Sequence, residues 1–329
     1  MIMRLLFILL VVCTVGSVPL GNQLSRGSSD RPSAESKAIA FLAREVPAWS
    51  KKNGCFSCHN DGDGARALYA ASRKAYAIPQ NALDATTAWV SQPNTWEHNK
   101  GDPGFSDKTL SNVQFASALL AAFEAGQVKD RKPLELAASK LIAEQATDGA
   151  WRIDPDSAIG SPTTWGTTLT TSMAVKVLQQ DGSPKSIEAI QRAQRWLSGV
   201  TPNSVLTAAT LIMATTATPG SLDQSARRQR QQSLNLLRVA QTSDGGWGPY
   251  EKSPPEVFDT AMALLALTEM RKETGVEDLI RRGRVFLVSQ QQPDGSWIET
   301  TRPSGGESYA QRLSTTGWAT LALLKTGMR

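Results

Sequence analysis

The sequence predicts an all-α protein made of six helical hairpins of about fifty residues each, arranged as two concentric rings. Three observations predict it. A turn signature recurs: Glu144-Gln-Ala-Thr-Asp-Gly-Ala-Trp151, Ala240-Gln-Thr-Ser-Asp-Gly-Gly-Trp247 and Gln291-Gln-Pro-Asp-Gly-Ser-Trp297 share a Gln followed by Asp-Gly-x-Trp. Trp247 and Trp297 are 50 residues apart, and Trp151 and Trp247 are 96 apart, which is two periods of 48. A helical stretch of mixed polarity precedes each signature and a more apolar one follows it, so amphipathic outer helices alternate with buried inner ones. No alternating strand pattern of useful length interrupts this order.

Each unit can be followed along the chain. Unit one contains Trp49 and the Asn53-Gly54-Cys55 loop, then a helix over Ala65–Tyr76. Unit two has Val90-Ser-Gln-Pro-Asn-Thr-Trp96, which parallels the stretch before Trp297, and an inner helix over Phe115–Phe123. Unit three turns at Trp151 and continues in Thr168–Leu178. Unit four has an outer helix over Ile187–Leu197, a degenerate turn at Arg195-Trp-Leu-Ser-Gly199 and an inner helix over Val205–Ala214. Unit five turns at Trp247 and runs on through Thr260–Met270. Unit six has Leu279–Val288, Trp297 and Thr315–Leu324. Asp-Gly supplies the turn in units three, five and six, because Gly accepts a positive φ at little cost. The Gln is expected to cap helix ends and the Trp to bury its ring.

Composition fits this reading. The chain has 329 residues, 40% hydrophobic and 20% charged, as in a globular protein. Three Cys exclude a disulfide-dense scaffold. The net charge of +5 is dispersed. The short clusters Arg227–Arg230 and Arg281–Arg284 lack interleaved aromatics and read as wet helix faces, so no nucleic-acid partner is expected. Residues 1–17 read as a signal peptide: Arg4 in a short basic start, an apolar run from Leu5 to Val12, and small residues at Gly16 and Ser17. Cys13 follows Val12 where a lipid-attachment signal would place a small residue, so lipidation is not expected. Residues 18–36, rich in Ser, Gly, Pro and Arg, read as a flexible tether, leaving 37–329 for the helical array. Export to the periplasm or beyond follows, with an N-terminal anchor if the signal stays uncleaved, and no membrane span elsewhere.

Cys55-Phe-Ser-Cys58-His59 is the strongest chemical signal. Cys-x-x-Cys-His is the attachment pattern of c-type haem: two thiols add to the porphyrin vinyl groups and the adjacent His supplies an axial iron ligand. A local disulfide, a metal site completed by a fourth ligand, and an uncommitted dithiol remain open alternatives. His98, the other His of the chain, is the candidate second axial ligand; a surface histidine is its plain alternative. Met173, Met213, Met262 and Met270 are read as core. Asn60-Asp-Gly-Asp-Gly64 begins like a calcium loop but lacks the later acidic ligands, and reads as a turn and helix cap.

The Gln-rich Gly-x-Trp repeats resemble those of the squalene and oxidosqualene cyclase and protein prenyltransferase superfamily over roughly residues 40–327. The resemblance implies an (α/α)6 toroid with a central cavity for isoprenoid or similarly apolar molecules. Hopene-type cyclases of that superfamily carry Asp-x-Asp-Asp-Thr-Ala at the start of an inner helix, where the middle Asp protonates the substrate. Here the stretch is Glu256-Val257-Phe258-Asp259-Thr260-Ala261. Phe258 stands at the proton-donor position and has no proton to give. Asp259 is expected to cap the following helix; Asp259 or Glu256 is the acid if the chain is an enzyme. The Asp, Cys and His zinc set of prenyltransferases is not evident. Trp89, Trp165 and Trp318 lie on or beside inner helices, where the superfamily uses aromatics to stabilise cations; ordinary packing is their plain reading.

The expectation is therefore an exported, non-cyclising toroid with haem c at its rim, serving electron transfer with a partner protein or holding an apolar ligand. A terpene cyclase-like enzyme and a protein-docking toroid are the alternatives.

Overall fold

The computed structural model describes residues 32–99, 107–153, 159–216, 223–302 and 308–327. The expected signal peptide lies outside them. Among the described residues there are twelve α-helices and no strand beyond one isolated bridge between Trp247 and Glu256. The outer helices are α1 (Ala34–Asn53), α3 (Asp84–Val90), α5 (Lys132–Glu144), α7 (Pro184–Ser198), α9 (Gln224–Ala240) and α11 (Val276–Gln290). The inner ones are α2 (Ala65–Arg73), α4 (Lys108–Glu124), α6 (Gly166–Asp181), α8 (Val205–Thr216), α10 (Val257–Leu267) and α12 (Tyr309–Thr326). Helix α1 begins inside the stretch expected to be a tether, because Ser33 caps it by accepting a hydrogen bond from the Ser36 amide.

The inner helices pack in the cyclic order α2, α4, α6, α8, α10, α12 and back to the segment leading into α2. Residues Val257–Leu264 of α10 are buried without a break, whereas α7 buries only Ser186, Ala189, Ala193 and Leu197. That difference separates an inner from an outer position. Small residues bring the inner helices close: a Cβ on Gly317 of α12 would lie 2.9 Å from the Asp63 carbonyl oxygen.

The repeat signature is a set of identical clasps. Gln145, Gln241 and Gln291 each donate from Nε2 to the turn Gly (Gly149, Gly245, Gly295) and to the next outer helix (Ala189, Leu279, Ala34), at 2.8–3.0 Å. The Gln thus staples a turn to its neighbouring hairpin rather than capping a helix end. Trp151, Trp247 and Trp297 are fully buried, and each donates Nε1–H to a carbonyl ten residues earlier in its own outer helix. Their amides donate to Thr171, Thr260 and Thr316 of the following inner helix. In the degenerate fourth unit the staple comes from the other side: Gln229 of α9 donates to the carbonyls of Leu197 and Val200. Gln291 reaches Ala34, so the last turn clasps the first helix and the ring closes.

Candidate functional site

Cys55–His59 lies where the first unit should have its Asp-Gly-x-Trp turn, at the end of the ring where the inner helices begin. Gly54 ends α1 in the left-handed conformation, at φ 66°. The chain then enters α2 through a π-helical turn, Cys58–Gly64. Asn60–Gly64, expected as a turn and helix cap, belongs to this π-helical turn and is buried, and no side chain caps α2. Their glycines fit against the neighbouring helices: a Cβ on Gly62 would lie 3.2 Å from the Gln114 Cβ. π-Helical turns are rare and often mark functional positions.

Buried carboxylates hold this segment. Asp61 accepts from the Ser57 amide at 2.9 Å and from the Thr86 hydroxyl at 2.6 Å. Asp63 accepts from Ser314 of α12 at 2.7 Å and from Gln114 of α4 at 3.3 Å. Burial pushes both carboxyls up to about 7, against the pull of their donors and, at Asp63, of Arg66. Asn99 fixes the loop from the second unit, accepting from the Phe56 amide at 2.9 Å and donating to its carbonyl at 2.5 Å.

Cys55, Cys58 and His59 line one cavity of about 510 Å³, within the usual range of roughly 300–1,000 Å³ for ligand pockets. Its walls are aromatic: Trp49 stacks on Tyr309 at 5.7 Å, and Phe56, Trp96 and Phe115 form other faces. Neither Cys55 nor Cys58 is in a disulfide. The His59 Nδ1 lies 3.1 Å from the Ser314 hydroxyl, and its Nε2 lies 3.7 Å from the Cys58 sulfur. Burial pushes the imidazole down to about 4, so the ring is neutral at ordinary pH. Two thiols and a neutral imidazole on one cavity wall are the donor set that covalent haem requires. His98 is exposed on the 3₁₀ turn Pro93–His98 and does not line the cavity, so the structure does not bring it to His59. Among the described residues no group of three or more His, Cys, Asp or Glu side chains is placed to hold a metal ion.

The Glu256–Ala261 stretch is a separate cluster. Glu256 sits at the N-cap of α10 without a side-chain capping bond. Asp259 lies in the first turn and is fully buried, and it does not cap the helix. Its carboxylate pairs with Arg302, which also meets Glu256 at 2.8 Å and donates to the Gly160 carbonyl at 2.8 Å. Burial raises the Asp259 carboxyl and Glu256 adds to this, while Arg302 opposes it. Arg302 had no signature in the sequence: it follows the sixth turn, 43 residues from its partner. Phe258 is fully buried, edge-on to Trp318 at 5.9 Å.

The aromatic residues at the centre already surround a cation. The buried Arg66 guanidinium lies 4.2 Å above the Trp318 ring and 5.2 Å above that of Trp165, with Nη1 3.6 Å from Asp63. Trp89 lies further out, stacked on Phe56 at 4.6 Å.

Residues 201–329 match the model of the squalene-hopene cyclase C-terminal domain. Drimenyl diphosphate synthase from Streptantibioticus cattleyicolor is 24% identical over 208 residues, 59% of this chain but 37% of that protein, so the chain spans just over a third of that relative. The type II terpene cyclase MstE from Scytonema, without ligand, superposes with a TM-score of 0.55 at 15% identity, covering 89% of this chain and 97% of that one. A variant of MstE has been solved with its substrate, geranylgeranyl dihydroxybenzoate. An unsaturated glucuronyl hydrolase specific for heparin reaches a TM-score of 0.61 at 10% identity, covering 89% and 95% of the two chains. These structures share a fold across different chemistries. The molecule is a cyclase-like α/α toroid, similar in sequence over residues 201–329 to the squalene-hopene cyclase C-terminal domain.

Proposed function

We propose that this toroid is exported and does not cyclise isoprenoids, and that it carries a covalent c-type haem on Cys55, Cys58 and His59 for electron transfer with a partner protein. The supporting observation is the convergence of both thiols and the His59 ring on one aromatic-walled cavity. When bound, haem supplies one-electron chemistry. The chain would contribute the thiols that anchor it, the imidazole that ligates it, and aromatic faces to pack against it. The non-cyclising part rests on what replaces a cyclase acid: Phe258 has no proton, Asp259 is clamped by Arg302, and the central aromatics hold Arg66 in place of a substrate cation.

Two assays test this. In protein made with the c-haem maturation machinery, Cys58→Ser should lose covalent pigment; a full haem complement in that variant would overturn the proposal. Incubation with polyprenyl diphosphates should give no cyclic product. Turnover that disappears in Asp259→Asn would instead establish the enzyme.

A further inference from the structure

Ser314 is 255 residues from His59, yet its hydroxyl lies between His59 Nδ1 at 3.1 Å and Asp63 Oδ2 at 2.7 Å. In its ionised form Asp63 Oδ2 only accepts, from Ser314 and from the Gln114 amide at 3.3 Å. The Ser314 hydrogen is therefore directed at Asp63, and its oxygen lone pair faces the ring. Nδ1 must donate to it, which leaves Nε2 as the nitrogen with the free lone pair. Arg66, 3.6 Å from the other Asp63 oxygen, balances the carboxylate charge. Small neighbours make the approach possible, since Gly317 on the same helix lets α12 press against the Asp63 backbone.

We infer that Ser314, itself held by Asp63, is a positioning residue that fixes the His59 ring as its Nδ1–H tautomer and presents Nε2 beside Cys58. The inference rests on the haem reading for its consequence but not for the tautomer. Hydrogen bonds to the outer nitrogen of a ligating His orient the ring and raise its basicity. Ser314 would thus set the electron richness of the imidazole that would hold the iron.

The test has two arms. In full-length protein made without haem maturation, nitrogen-15 NMR of the histidine rings reads the tautomer directly, with His98→Gln telling the two rings apart. His59 should be Nδ1-protonated. Ser314→Ala should give a mixture of tautomers and Ser314→Thr should restore the single form. A wild-type ring protonated on Nε2, or an unchanged spectrum in Ser314→Ala, overturns the inference. In the haem-loaded protein, Ser314→Ala should raise the midpoint potential and Ser314→Thr return it; an unmoved potential also overturns the inference. A colourless protein whose His59 ring still responds to Ser314→Ala removes the haem and leaves the positioning role standing.

Discussion

Arg302 is a single guanidinium that bonds two carboxylates and a carbonyl. Replacing it by Met strands Asp259 as an unpaired buried acid, which costs about 3–5 kcal/mol. Arg302→Met combined with Asp259→Asn should cost less than Arg302→Met alone in urea denaturation, because the stranded charge is gone. The acidic residues of the π-helical turn set a pH dependence. Asp61 has its folded pKa raised from 3.8 to about 7, so the folded state binds its proton more readily than the unfolded one. Its contribution is fully present below the unfolded value and is lost as pH rises through about 7. His59, lowered from 6.5 to about 4, acts oppositely: the unfolded chain takes its proton first, so acidification through that window destabilises. Relative to Asp61→Asn, wild type should therefore be more stable at pH 5.5 than at pH 7.5. Denaturation midpoints at the two pH values measure this, and the reverse ordering contradicts the burial of Asp61. At this scale the sequence showed the thiols and His59, because their spacing is local. It did not show Ser314 or Arg302: the partner of Ser314 lies 255 residues away across the ring closure, and that of Arg302 lies 43 residues away in the neighbouring unit. Asp259 looked like a cap because its position in the helix start is local and its ion pair is not.

The Asp-Gly-x-Trp turn is the element that makes the hairpins cohere. Gln291→Ala removes two hydrogen bonds and leaves the Ala34 and Gly295 carbonyls without it, a loss of about 1–3 kcal/mol. Gly295→Ala should be at least as damaging: its φ of 93° disfavours any side chain, and a Cβ there would run into the Lys37 carbonyl. Thermal or urea unfolding of the two variants checks both figures, and a neutral Gly295→Ala would contradict the clasp. Helix types and order were legible because periodicity and turn chemistry are properties of neighbouring residues. The fourth unit was harder, since its staple, Gln229, belongs to the next outer helix and breaks the register of the motif.

At the scale of the whole molecule, closure distinguishes this ring from an open repeat array, whose end repeats need polar caps. The last turn grips α1, and α12 packs on the segment that enters α2. The Cys55–His59 site is built across that seam: the loop comes from the first unit, Asn99 from the second and Ser314 from the last. A second cavity of about 420 Å³ opens at the opposite end of the inner helices, with Arg66 in its lining. The polar series His59, Ser314, Asp63 and Arg66 therefore crosses the centre of the ring, where the resemblance implies a cavity for apolar molecules. No helix among the described residues is long and apolar enough to cross a membrane. The most direct measurement is the absorption spectrum, oxidised and reduced, of the wild-type chain exported alongside c-haem maturation proteins, followed by denaturation and acid extraction. Covalent attachment predicts sharp reduced bands and pigment that stays with the polypeptide; a colourless chain, or pigment released by acid, would contradict it.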